Sequence, residues 1–184
     1  MRKTARPVVW EGAGAQSPAP DPITYTAGDP DERLNHNLVG IADGRRNDPS
    51  DPTFGQGPYL LNVYSGERDP EALNFDRIVR QQWGLPGENY DFSYETVSPS
   101  AINGMAVTTA TVRDREGHVK EYHFDPDNQL VALVEFTGRS RTDAPVDRAS
   151  NRPVGKLRPT DPAAFITRYT YNADFQLKRL IFPN

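Results

Sequence analysis

Tyr122-His123-Phe124-Asp125-Pro126-Asp127-Asn128-Gln129-Leu130 and Tyr169-Thr170-Tyr171-Asn172-Ala173-Asp174-Phe175-Gln176-Leu177 decide the reading of this chain. They fall in one register: aromatic, any residue, aromatic, Asp or Asn, three turn residues, Gln, Leu. Two aromatics at spacing two project to the same side of an extended strand. The Asp or Asn that follows ends the strand and caps the turn with its own side chain. Leu130 and Leu177 then open the return strands on that side. Each unit reads as a β-hairpin, marginal by itself, and stacked hairpins bury a continuous surface. Internal repetition is the first thing to settle in a fold, because each repeat is one unit of the architecture.

Working outward, the same grammar recurs. Tyr90, Phe92 and Tyr94 alternate with Asp91, Ser93 and Glu95, which predicts a strand with its aromatic side buried and its polar side open. Asn103-Gly104 introduces a β-branched run over 107–113, and Asp114-Arg115-Glu116-Gly117 turns the chain into 119–125. Further strands are expected over 130–136, 165–172 and 177–182. Upstream, 23–27, 34–42 (closed by Asp43-Gly44), 59–64 and 75–83 complete about ten strands. Asp69-Pro70-Glu71 carries the residues of a helix start, but β-branched Ile78-Val79 favours strand over 75–83. The expectation is an all-β antiparallel meander. Residues 1–22, with a Gly/Ala/Pro-rich stretch, read as a poorly ordered lead-in, and 23–184 as one β-sheet segment with a long loop at 138–164.

Composition agrees. The chain has 184 residues, 17 Pro and 14 Gly, a density that suits short strands joined by turns. Its aromatic content of 10% is too high for a disordered tail. The net charge of −4 offers no reason to expect a nucleic acid or an anionic membrane as partner. Cysteine is absent, which removes disulfides and thiolate metal sites. Met1-Arg2-Lys3 starts like a signal peptide, but no apolar stretch follows, so the chain as written carries no export signal and no membrane span.

The two leading units resemble the YD repeat of bacterial Rhs-type proteins, of insecticidal toxin-complex shells and of teneurin-like shells, in which Tyr-x-Tyr-Asp-x-x-Gly-x-Leu leads to a Pro-x-Gly-like turn. Residues 109–117 resemble the family's Thr-x-x-Asp-x-x-Gly lead-in, and weaker echoes lie at 76–81 and 90–94. By this resemblance the motif residues are Tyr122, Phe124, Asp125, Leu130 and Gly138 in one unit, and Tyr169, Tyr171, Asn172, Leu177 and Pro183 in the other. Asn128 and Phe175 stand where the family usually has Gly, and Asn172 stands for its Asp. Asn accepts a left-handed turn readily. Phe175 does not, and its turn is expected to be built differently. The resemblance implies a wall segment of a long spiral β-sheet shell that is secreted or displayed on the cell surface. Its partners would be the rest of that polypeptide and an enclosed C-terminal toxin domain. The second unit stops one residue short of its closing Gly, so the chain reads as an excerpt.

No catalytic constellation, cofactor site or metal site emerges. His36, His118 and His123 lack a second His or Cys at ligand spacing and read as exposed histidines. Asp125-Pro126-Asp127-Asn128 starts like a calcium loop, but Phe136 stands where the bidentate Glu belongs, so it reads as a turn. Gly12-Ala13-Gly14-Ala15 follows no strand and opens no helix, and is no phosphate loop. Asp161-Pro162 precedes two alanines rather than glycines, and the family's self-cleavage is not carried over. Residues 138–164 hold six Arg and Lys against three Asp and read as a solvated insertion. The alternative to a wall is a surface-glycan adhesion module stacking sugars on exposed rings, with Trp83 the best candidate.

Overall fold

A computed structural model describes residues 23–42, 50–52, 59–84, 87–141, 148–153 and 155–183. The expected lead-in at 1–22 and the Asp43-Gly44 turn lie outside them. Among the described residues ten strands follow one another: β1 (Ile23–Tyr25), β2 (Leu38–Ile41), β3 (Leu60–Tyr64), β4 (Ile78–Trp83) and β5 (Asn89–Thr96), then β6 (Thr108–Arg113), β7 (His118–Phe124), β8 (Leu130–Arg139), β9 (Ala164–Tyr171) and β10 (Leu177–Ile181). They form one antiparallel sheet in strict chain order. This is the all-β meander that the turn spacing predicts. A 3-10 turn at Glu32–Leu34, with Asp31 accepting from the Arg33 N–H, and a single helical turn, α1 (Arg148–Asn151), are its departures from strand. Residues 69–77 form turns rather than a helix, and strand begins at Ile78.

The two faces differ. Cross-strand pairs Tyr94–Ala110–Tyr122–Leu133 run across β5 to β8, with Phe92–Val112–Lys120–Glu135 beside them. On this face Phe92, Tyr94 and Tyr122 are half-buried, and each lies across from an aliphatic residue rather than another ring. Tyr59 and Trp83 are the ring pair in contact among the described residues, edge to face at 5.8 Å. The opposite face carries the rows Asp91–Arg113–Val119, Ser93–Thr111–Glu121–Val134 and Glu95–Thr109–His123–Ala132. Here Asp91, Thr109, Thr111, Arg113, Val119, Glu121, His123 and Ala132 are all buried. The expected polarity of β5 is therefore reversed, since Asp91 on the supposedly open side is buried at 4% exposure while the aromatics are not.

The cause lies within 138–164, where Asn151 and Arg152 sit against the polar face, while residues 155–160 are exposed as a solvated insertion would be. β8 continues through Gly138 to Arg139. Helix α1 lies against β5 and β6. Asn151 is fully buried, and Arg152 reaches the carboxylate of Glu121. Gly138 sits inside β8 rather than in a closing turn. A Cβ there would collide with the carbonyl of Gly155, so glycine is what lets this strap approach the strand.

Candidate functional site

Three devices hold the sheet together, and each recurs or spans several strands. The first is the turn. In residues 125–129 the Asp125 N–H donates to the Gln129 carbonyl and the Asn128 N–H to the Asp125 carbonyl. Asp125 Oδ1 accepts from the N–H groups of Asp127 and Gln129 at 3.1 and 2.8 Å. Residues 172–176 reproduce all four bonds, with Asn172 Oδ1 accepting from Asp174 and Gln176 at 3.1 and 2.8 Å. Residues 114–118 do so again, with Asp114 Oδ1 accepting from Glu116 and His118 at 2.9 and 2.8 Å. This is a three-residue hairpin loop, a type I turn followed by one left-handed residue. The left-handed position is Gly117 (φ 82°), Asn128 (φ 60°) or Phe175 (φ 60°). The Phe175 turn is thus built like the others, against expectation, because a capping side chain and four hydrogen bonds outweigh the strain of one exposed residue. Asp76 (φ 56°) is also left-handed, two residues before β4, in a turn with other hydrogen bonds.

Burial pushes the Asp114 carboxyl up, but the His118 N–H, its imidazole and the Glu116 N–H outweigh that, leaving it below the usual carboxylate value. His118 Nδ1 lies 3.0 Å from Asp114 Oδ2.

The second device is a tyrosine hydroxyl. Tyr64 on β3 donates to the Leu38 carbonyl at 3.2 Å, Tyr94 on β5 to Ile78 at 2.9 Å, and Tyr171 on β9 to Leu130 at 2.9 Å. Each acceptor is the first residue of the preceding strand. Continuing each register to the strand end places every tyrosine one residue past that residue's partner. Burial raises all three phenols above the usual tyrosine value; Asp76 adds to this at Tyr64, Tyr169 and Asp125 add to it at Tyr171, and Arg77 opposes it at Tyr94.

The third device is the charged layer under the strap. Asp91 is bracketed by Arg113 Nη2 at 2.5 Å and Arg80 Nε at 2.7 Å, and Arg113 Nη1 donates to the Arg141 carbonyl at 2.8 Å. Glu121, fully buried, meets Arg152 at 2.6 and 3.0 Å and His123 Nε2 at 3.1 Å. Buried carboxylates persist when paired and hydrogen-bonded, as both of these are. Sequence reading took His123 as exposed, but it is buried at 6% exposure. Thr109 lies across from it, yet Thr109 Oγ1 and His123 Nδ1 have no hydrogen-bond partner among the described residues. A hydroxyl, an imidazole and a carboxylate are neighbours here, but no bond joins hydroxyl to ring as nucleophile activation requires. The layer's chemistry is charge pairing.

No family model, curated protein or solved structure matches the chain.

The motif residues sort clearly. Asp125 and Asn172 cap their turns, and Leu130 and Leu177 open β8 and β10. Tyr122, Phe124, Tyr169 and Tyr171 share the aromatic face, half-buried, with Tyr171 latching β8. Gly138 serves the strap, and Pro183 follows β10, exposed. The residues missed were Asp91, Arg113, Glu121, His123 and Arg152. Their one sequence signal was opposite charges at the same parity of neighbouring strands. Among the described residues no group of three His, Cys, Asp or Glu is placed to hold a metal, and no helix is long and apolar enough to cross a membrane.

Proposed function

We propose that the chain is a wall segment of a YD-repeat (Rhs-type) shell, which encloses or presents a toxic C-terminal domain and performs no catalysis in this segment. The observation that carries the reading is the capped turn repeated at 114–118, 125–129 and 172–176, each joining strands of one sheet in chain order. Such a unit extends by addition, since every strand pairs with its chain neighbours. On this reading the partners are further turns of the same polypeptide and its cargo, and the assembly works outside the cell or on its surface. Sequencing the gene on both sides of this frame is the test. More units of the same spacing, in frame and followed by a non-repetitive C-terminal region, are expected. A frame without further units on either side would overturn the proposal.

A second reading, a glycan-binding adhesion surface, is favoured by Tyr59 and Trp83, which stand 45% and 39% exposed at the end of the β3–β4 pair. Saccharide binding that Trp83→Ala abolishes would support it. Binding that Trp83→Ala leaves unchanged would remove its basis.

A further inference from the structure

The three tyrosine latches differ in the residue before the latched carbonyl, which is Asn37 at Tyr64, Arg77 at Tyr94 and Gln129 at Tyr171, and the pair Tyr94 and Tyr171 points to a ligand. At the β4–β5 site the residue before the latched carbonyl is Arg77, whose guanidinium lies 4.8 Å from the centre of the Tyr94 ring. At the β8–β9 site the equivalent residue is Gln129, neutral and shorter, and no cation of the described chain lies over the Tyr171 ring. A trough of about 450 Å³ opens there, lined by Asp125, Asp127, Gln129, Tyr169, Tyr171 and Phe175. Asp125 commits Oδ1 to two backbone N–H groups, and its second oxygen makes no hydrogen bond among the described residues. Phe175, held outward by its left-handed turn, is 63% exposed.

Aromatic faces bordered by carboxylates attract a flat organic cation, through the ring quadrupole and through charge. Among the described residues a guanidinium lies over a ring three times, at Arg33–Phe75, Arg77–Tyr94 and Arg152–Phe136. We propose that the trough beside Tyr171 binds an arginine side chain presented by another polypeptide, in the place that Arg77 fills at Tyr94. The electrostatics of the two latches agree: Arg77 works against the rise of the Tyr94 phenol, whereas Asp125 adds to that of Tyr171, after burial in both cases. The site is built wholly from this chain and does not depend on the wall reading.

The test is titration of the full chain with acetyl-Gly-Arg-Gly-amide, its neutral citrulline analogue and free arginine amide, followed by the ring resonances of Tyr169, Tyr171 and Phe175. The arginine peptide is expected to shift these signals saturably and to lose affinity as salt rises, with the citrulline peptide inert. Asp125→Asn, which keeps the turn acceptor, and Phe175→Asn, which keeps the left-handed position, should each weaken binding about three- to tenfold. Gln129→Arg supplies the guanidinium from within and should abolish it. Equal binding of the citrulline peptide, shifts that map elsewhere, or undiminished binding by Gln129→Arg would overturn the proposal. Tighter binding of free arginine amide than of the peptide would overturn the assignment to a polypeptide partner.

Discussion

Arg152→Met removes the strap's guanidinium, and with it the contact that the guanidinium makes 5.8 Å from the centre of the Phe136 ring, while keeping most of the aliphatic stem. Two charge-assisted bonds, at 2.6 and 3.0 Å, disappear from Glu121. Each is worth about 1.5–3 kcal/mol where both ends are buried. Here one end is not: the Arg152 side chain is 47% exposed and keeps part of its hydration, while Glu121 is fully buried. The cost therefore falls on the stranded carboxylate, which retains His123 at 3.1 Å. The expected loss is about 3 kcal/mol, the low end for breaking a buried ion pair. Combining Arg152→Met with Glu121→Gln should cost less than the two single changes added, because the charge to be stranded is gone. Urea unfolding followed by tryptophan fluorescence gives all four stabilities. A loss below about 0.5 kcal/mol for Arg152→Met, or strict additivity in the double variant, would refute the reasoning.

Other outcomes follow from the same geometry. Gly117→Ala should cost more than about 2 kcal/mol, since φ is 82° and the new Cβ meets the Ser140 carbonyl at 2.5 Å, whereas Phe175→Gly should gain about 1 kcal/mol; thermal unfolding that ranks them the other way would break the equivalence of the turns. Tyr94→Phe and Tyr171→Phe should each lose about 1 kcal/mol, read by the same unfolding assay. Because burial raises both phenols above 10.0, their contribution is complete below that pH and is lost as pH climbs through the folded values; tyrosinate absorbance that titrates normally would contradict it. The outer edge of β10 has no neighbouring strand among the described residues and exposes Leu177, Leu180 and Ile181, so sedimentation at micromolar concentration should show self-association that Leu180→Lys reduces; a monomer at all concentrations would refute this.

The strands were legible because period-two alternation and turn residues are local signals, and Tyr90 to Tyr94 or Thr108 to Arg113 carry them plainly. The capped turns at Asp114 and Asp125 were legible for the same reason. The Phe175 turn was not, since its geometry is dictated by the capping amide of Asn172 three residues earlier rather than by the residue under strain. The buried face was misread because Asp91, Glu121 and Arg113 look like a solvated side until something covers them. What covers Glu121 is Arg152, 31 residues away in sequence, in a Pro- and Arg-rich stretch with no apolar pattern, and contacts of that range leave no local trace.

A sheet laid down in chain order has a mechanical consequence. Tension applied at the C-terminal end loads the hydrogen bonds of β10, then of β9, one pair at a time, so the edge peels rather than shears. The strap joins β8 to β9, so lifting β9 draws it off the polar face and pulls Arg152 away from Glu121. Beyond that step, β7 back to β1 are secured by their hairpins and tyrosine latches. The ion pair under the strap is then the catch that a pulling force meets first among the buried contacts, and its release sets the point at which peeling runs on toward the opposite edge.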